Sequence, residues 1–252
     1  MKKFKDYKKE VVKERVKENF LTLYIFRQIS TKISYFLLNK FPKINGNHIT
    51  SLSFIIAMIG LSLFSLESAI FWIGGCILII LFHILDCVDG ELSRFQKKSS
   101  IMGGTYDNLV HDYVNAFFFF WAGIGLYNYL KNVYFIYFSS LIIISILLFN
   151  IILLSIKLGN PKYSKDLSKK MQIKNLKNSH LTIKEVLFSF FGFLGLHFIV
   201  LIASILDLVL SSHYFRLTIY IFTGIYIIIA HFEILIKFIK LVFKIQKNNN
   251  SN

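Results

Sequence analysis

From Ala69 to Arg94 the chain reads AIFWIGGCILIILFHILDCVDGELSR. Its first twenty residues, Ala69 to Val88, hold a single charged side chain, Asp86. About 20 residues of that kind, wound as a helix, match the ~30 Å hydrocarbon core of a bilayer. Lipid offers no partner to backbone N–H and C=O groups, so a spanning segment of this type must satisfy them within its own helix. The stretch therefore predicts a membrane helix that continues past the bilayer surface to Arg94, carrying its polar residues out of the apolar run.

Runs of the same character recur on either side. The other spans are expected over Ile49–Phe64, Ile101–Tyr127, Val133–Ile156, Val186–Leu210 and Tyr214–Phe238, with a hydrophilic connection from Gly159 to Lys184. Composition agrees: 55% of the 252 residues are hydrophobic, 27 are Phe and only 2 are Pro. The expected fold is an all-α integral membrane protein with six transmembrane helices. Three regions follow: a basic juxtamembrane segment over 1–48, a six-helix domain over 49–240 and a polar C-terminal tail over 241–252, whose end KIQKNNNSN is expected to be loose. Within the first region Val11, Val12, Val16, Phe20, Leu21 and Tyr24 recur at roughly helical spacing among Lys, Arg and Glu. That pattern predicts an amphipathic surface helix in the headgroup layer. The opening residues, MKKFKDYKKEVVKERVKENF, are too polar for a signal peptide.

Charge sets the orientation. Of 29 Lys and Arg, 27 fall on one side of the predicted spans; Lys131 and Arg216 alone face the other. Cytoplasmic loops carry such an excess, so both termini are expected in the cytoplasm and the chain in the inner (cytoplasmic) membrane. The net charge of +15 suits anionic lipid. No zinc-finger or helix-turn-helix pattern points to nucleic acid. Cys76 and Cys87 lie in an apolar segment and form neither a disulfide framework nor a metal pair.

Only 14 residues are acidic, and five lie between Asp86 and Asp112. Ionisable groups at membrane depth mark functional sites by default. Asp86 and Asp89 are three apart and share a helix face, with Gly90 and Ser93 on or near it; Asp107 and His111 are four apart and share another. Two antiparallel helices joined by a short turn bring these faces together. Carboxylates so gathered repel one another unless a cation sits between them. Oxygen ligands suit Mg²⁺ or Mn²⁺, which favour phosphate chemistry. Gly90 lets a nucleotide approach the backbone, and Arg94 offers a fork of donors to a diphosphate. Glu91 and Asp112 fall on other faces and are read as solvated or supporting. His83, one turn before Asp86, is read as a buried, hydrogen-bonded histidine. His48, His180, His197, His213 and His231 have no supporting neighbours and receive no role.

These residues resemble the CDP-alcohol phosphotransferase (CDP-alcohol phosphatidyltransferase) family. Its pattern is Asp-x-x-Asp-Gly-x-x-Ala-Arg, eight residues, Gly, three residues, Asp, three residues, Asp. Here Asp86, Asp89, Gly90, Ser93, Arg94, Gly103, Asp107 and His111 keep the spacing throughout, and six of the eight match in type. The resemblance implies that Asp86, Asp89 and Asp107 bind two divalent ions, Mg²⁺ or Mn²⁺. It implies that Gly90, Ser93, Arg94 and Gly103 hold the CDP portion, helped by Asn47 and Thr50, which match an Asn-x-x-Thr element. It also implies a homodimer. Ser93 replaces Ala, small for small. His111 replaces the fourth Asp, the general base and metal ligand, and a neutral imidazole can do either job.

The function expected from the resemblance is transfer of a substituted phosphate group from a CDP-linked donor to an acceptor alcohol, releasing CMP. CDP-diacylglycerol and other CDP-alcohols fit as donors; a free or phosphorylated alcohol fits as acceptor, beside membrane lipid. Two other classes remain open on the residues alone: a metal-ion transporter, and a divergent scaffold that has lost catalysis.

Overall fold

A computed structural model of the chain describes residues 4–11, 22–98, 100–159 and 193–249. All regular structure among them is helical. In chain order the helices are α1 (Phe4–Val11), a π-helical turn (Thr22–Phe26), α2 (Arg27–Lys40), α3 (Gly46–Leu63), α4 (Ala69–Phe95), α5 (Ile101–Leu130), α6 (Tyr134–Gly159), α7 (Phe193–Val209) and α8 (Tyr214–Asn249).

Three of these, α3, α4 and α5, are long and apolar enough to cross a bilayer, while α6, α7 and α8 contain shorter apolar stretches, Tyr134–Leu148, Gly195–Val209 and Tyr214–Ile229. Helix α4 has 27 residues, about 40 Å at 1.5 Å per residue. It therefore outruns the ~30 Å hydrocarbon core, and its last turns carry Asp86 to Arg94 towards the surface.

Helix α4 is the hub, packed by α1, α2, α3 and α7. The α3–α4 seam is close because both helices put a glycine on it: a Cβ on Gly75 would lie 2.8 Å from the Gly60 carbonyl oxygen. Small residues let backbones approach in this way, gaining dispersion contacts that lipid cannot supply. Trp72, Cys76, Ile79 and Phe82 of α4 meet Ala57 and Leu61 of α3, Phe64 just beyond its end, and Val114, Phe118 and Phe119 of α5, in one buried cluster. Helices α4 and α5 meet mainly through long side chains, with α3 bridging them by packing on both. The outward faces carry exposed Ile55, Ile59, Ile70, Ile77, Leu141, Ile144, Ile202 and Phe222, the apolar coat a lipid-facing surface requires.

At the end of the bundle away from Arg94, Asp207 closes α7 onto α8. Its carboxylate accepts from Ser212 Oγ (2.8 Å) and the Phe215 and Arg216 amides (both 3.1 Å), and pairs with Arg216 Nε at 2.8 Å. The Arg216 guanidinium lies over the Trp72 ring and donates to the Glu67 carbonyl. One of the two basic residues expected on that side is thus buried in a structural clasp.

Several sequence expectations need correction. Of the helix expected across Val11–Tyr24, residues 12–21 lie outside the described residues; α1 reaches Val11 from Phe4, and Thr22–Phe26 forms a π-helical turn. Helix α2, for which no separate expectation was made, is amphipathic in the reverse sense to a surface helix. Its buried residues are Arg27, Ser30, Thr31 and Ser34, while Ile25, Ile29 and Phe36 on the opposite face are exposed. A buried partner for the polar face, Glu91, explains the inversion. The tail KIQKNNNSN, expected to be loose, is helical as far as Asn249. Leu241, Val242, Phe243 and Ile245 continue the apolar pattern, and no Gly or Pro interrupts it. The connection Gly159–Lys184 and the first residues of the span expected from Val186 lie outside the described residues, apart from Gly159 itself.

Candidate active site

The site begins with two caps. Asn45 accepts from the His48 amide (3.1 Å), while the Asn45 amide donates to His48 Nδ1 (3.4 Å), a reciprocal box that starts α3. Ser100 Oγ accepts from the Gly103 amide (2.9 Å) and starts α5. Both helices therefore begin beside the far end of α4.

One carboxylate oxygen each from Asp86 and Asp107 and one ring nitrogen of His111 lie within 4.8 Å of one another. His111 Nε2 is 2.9 Å from Asp86 Oδ1 and 3.9 Å from Asp107 Oδ1. All three side chains are partly exposed, so the group is open to an incoming ligand. The spacing and donor set, two carboxylates and an imidazole, fit a divalent cation. Asp89 stands beside this group, 8% exposed. One of its oxygens accepts from Thr50 Oγ1 at 2.7 Å, and that hydroxyl also lies 3.2 Å from the Gly46 carbonyl. Thr50 thus fixes Asp89 from α3.

The remaining expected site residues divide. Asn47, exposed in the first turn of α3, has its Oδ1 3.2 Å from where a Cβ on Gly103 would be; the two face each other across the α3–α5 entrance. Ser93 turns elsewhere. A Cβ on Gly46 would come within 2.1 Å of Ser93 Oγ and 3.0 Å of the Asp89 carbonyl oxygen. The Ser93 hydroxyl thus packs into the α3–α4 seam, which Gly46 makes possible. The open face of Gly90 is covered by the Arg94 guanidinium, whose Nε donates to the Val11 carbonyl at 3.0 Å. Asp112 is not part of the clustered ligand group.

Several other residues have contacts that the sequence reading did not assign. Glu91, read as solvated or supporting, is completely buried. It pairs with Arg27 at 2.9 Å and accepts from Ser30 Oγ and Ser34 Oγ, so the solvated reading is wrong. His83 is buried as expected, but its Nε2 has no hydrogen-bond partner among the described residues; aromatic neighbours Phe26 and Phe82 pack its ring instead. His197, given no role, is fully buried between His83 (ring centroids 5.7 Å apart) and Phe118 (4.9 Å). His48 caps α3, and His213 lies 2.7 Å from Arg216 Nη2. The signal for His48 was present in NGNHIT, where Asn45 precedes it by three residues; contacts across helices leave no such local trace.

The chain matches the family model described as CDP-alcohol phosphatidyltransferase over residues 43–210. It is similar to proteins named "Bifunctional IPC transferase and DIPP synthase". The one from Thermococcus kodakarensis is 32% identical over 101 residues, 40% of this chain and 22% of that protein. The one from Aquifex aeolicus is 31% identical over 114 residues, 44% of this chain and 25% of that protein. The one from Archaeoglobus fulgidus is 36% identical over 102 residues, 40% of this chain and 19% of that protein. The matches thus span a quarter or less of these relatives' own length. The family match covers α3 to α7, all four residues of the acid and histidine constellation included, and the chain belongs to the CDP-alcohol phosphatidyltransferase family, membrane-associated transferases of phosphate-containing groups.

Proposed function

We propose that this chain transfers a substituted phosphate group from a CDP-linked donor to an alcohol at the cytoplasmic face of the inner membrane, with CMP as the other product. The observation that carries this reading is the convergence of Asp86, Asp107 and His111 within 4.8 Å, with Asp89 held alongside by Thr50.

Asp86, Asp89 and Asp107 are the residues that would hold two divalent ions, Mg²⁺ or Mn²⁺. Such ions, when bound, neutralise charge on the diphosphate and on the departing CMP. The acceptor oxygen attacks the donor's β-phosphorus, a new P–O bond forms, and the bond to CMP breaks. The hydroxyl proton passes to His111, whose imidazolium is stabilised by Asp86 2.9 Å from Nε2. A nitrogen that accepts this proton cannot also ligate a cation, so the two roles require different ring nitrogens or different moments. Thr50 keeps Asp89 in register. Asn47 and Gly103 flank the entrance for the nucleotide.

The membrane arrangement in this reading has six spans, α3 to α8, with both termini cytoplasmic. The reversed α2 then rests its exposed Ile25, Ile29 and Phe36 in the lipid interface while its polar face holds Glu91. The working form is a homodimer.

The test is incubation of the purified protein with CDP-diacylglycerol, CDP-choline, CDP-ribitol and CDP-inositol, each with Mg²⁺ or Mn²⁺ and a panel of alcohols. CMP release and the mass of the new phosphodiester are read. Metal-dependent CMP release with at least one pair is expected; none from any pair removes the proposal.

A further inference from the structure

Gly90 was expected to leave its backbone bare for a nucleotide, and in the structure that space is taken. A Cβ on Gly90 would lie 3.2 Å from Arg94 Nη1 and 3.7 Å from Cζ. The guanidinium, one turn further along α4, therefore lies across the open face of Gly90. One contact that holds it there comes from the other end of the sequence. Arg94 Nε donates to the carbonyl of Val11, the last residue of α1.

Helix α1 is seated for this contact. Tyr7 is 1% exposed and Val11 fully buried. The Tyr7 ring packs 5.5 Å from Tyr35 of α2 and 5.1 Å from Phe95 of α4, next to Arg94. Phe4 packs 5.3 Å from Tyr35, and Lys8 Nζ donates to Gln28 Oε1. Phe4, Tyr7 and Val11 recur at helical spacing, so one face of α1 carries these contacts.

We propose that α1 is a latch on the donor site, in which Val11 holds the Arg94 guanidinium over Gly90 until a cytidine diphosphate group displaces it. The inference rests on the proposed function together with the family resemblance, which implies that Gly90 and Arg94 hold the CDP portion. A diphosphate seated against Gly90 and the guanidinium in its present position claim the same space. Exchange is favoured because Arg94 leaves a neutral carbonyl for phosphate oxygens, and charge-assisted hydrogen bonds are the stronger kind. A ligand shifts such an equilibrium by its differential affinity for the two states. The latched site is therefore closed without donor and opens with it, and loss of the Arg94 tether loosens α1.

The experiment uses the full chain with CDP, which carries the diphosphate but no group to transfer, and Mg²⁺. Amide hydrogen exchange over residues 4–11 is followed with and without CDP, and CDP affinity is measured for wild type, Tyr7→Ala and Tyr7→Phe. Exchange in α1 is expected to rise several-fold on CDP binding. Tyr7→Ala, which removes the wedge, is expected to bind CDP about 3- to 10-fold tighter, because the binding-competent fraction rises; Tyr7→Phe keeps the ring and stays near wild type. Unchanged or slower α1 exchange with CDP bound overturns the latch, as does weaker CDP binding by a folded Tyr7→Ala. The exchange measurement on wild type stands even if that variant fails to fold. Absence of CDP binding by wild type removes the functional reading and the latch with it, whereas CDP binding with static α1 removes the latch alone.

Discussion

Arg27 and Glu91, separated by 64 positions, form an ion pair at 2.9 Å with the Glu91 side chain completely buried. The pair joins α2 to α4 one turn from Arg94 and two residues from Asp89, so it sets where the C-terminal end of α4 sits. Removing one partner leaves an uncompensated charge inside protein, a loss of about 3–5 kcal/mol where it has been measured. Glu91→Ala should lower the melting temperature in detergent strongly, and Arg27→Met with Glu91→Leu should recover much of the loss. A double variant as unstable as the sum of the two single ones would show that the pairing is not what matters.

Thr50→Val tests the bridge from α3 to the acids. The hydroxyl 2.7 Å from Asp89 Oδ2 orients a carboxylate that would otherwise choose among rotamers. Outer-shell partners of this kind typically cost 10–100-fold in metal affinity or activity. We expect CMP release to fall by about that factor in Thr50→Val, with Thr50→Ser close to wild type, assayed at saturating donor.

The seam between Gly46 and Ser93 gives a steric prediction. In Gly46→Ala the new methyl would meet Ser93 Oγ at 2.1 Å and the Asp89 carbonyl at 3.0 Å. The first contact can be relieved and the second, to backbone, much less. Gly46→Ala should therefore destabilise the protein by about 1–3 kcal/mol, as overpacking does, and Gly46→Ala with Ser93→Gly should regain part of it in thermal unfolding.

At the other end of the bundle, burial and the neighbouring Arg216 charge hold His213 below its ordinary 6.5, with Asp207 pulling the other way. The unfolded chain then binds a proton near pH 6.5 that the folded chain still refuses. Stability rises with pH wherever the unfolded state holds more protons, so the clasp should weaken as pH falls below about 6.5. Melting temperatures compared at pH 7.5 and pH 5.5 should show a smaller drop for His213→Asn than for wild type.

How much of this was legible in the sequence depends on the range of each interaction. Asp86 with Asp89, and Asp107 with His111, lie three and four residues apart; helical periodicity alone put each pair on one face, and the apolar runs around them supplied the helices. The ends of α4 and α8 at Ala69 and Tyr214 were likewise marked by local polar breaks. Glu91 was misjudged because its partner Arg27 sits 64 residues away, and nothing around Glu91 announces it. Arg94 was expected to face a diphosphate because no local signal ties it to Val11, 83 positions earlier. The inward polar face of α2, Arg27, Ser30, Thr31 and Ser34, has no local signal either, because the carboxylate it surrounds lies on α4. The tail was misread for a local reason, since the polar end KNNNSN outweighed the apolar residues just before it.

Manganese binding tests the central claim most directly, because it needs neither the donor nor the acceptor to be known. Electron paramagnetic resonance of the purified chain with Mn²⁺ and CDP should show tightly held manganese in wild type, and its loss in Asp86→Asn and Asp107→Asn at unchanged folding. Manganese held equally by wild type and both variants would contradict the account, since the convergence of those side chains would then have no role in gripping a cation.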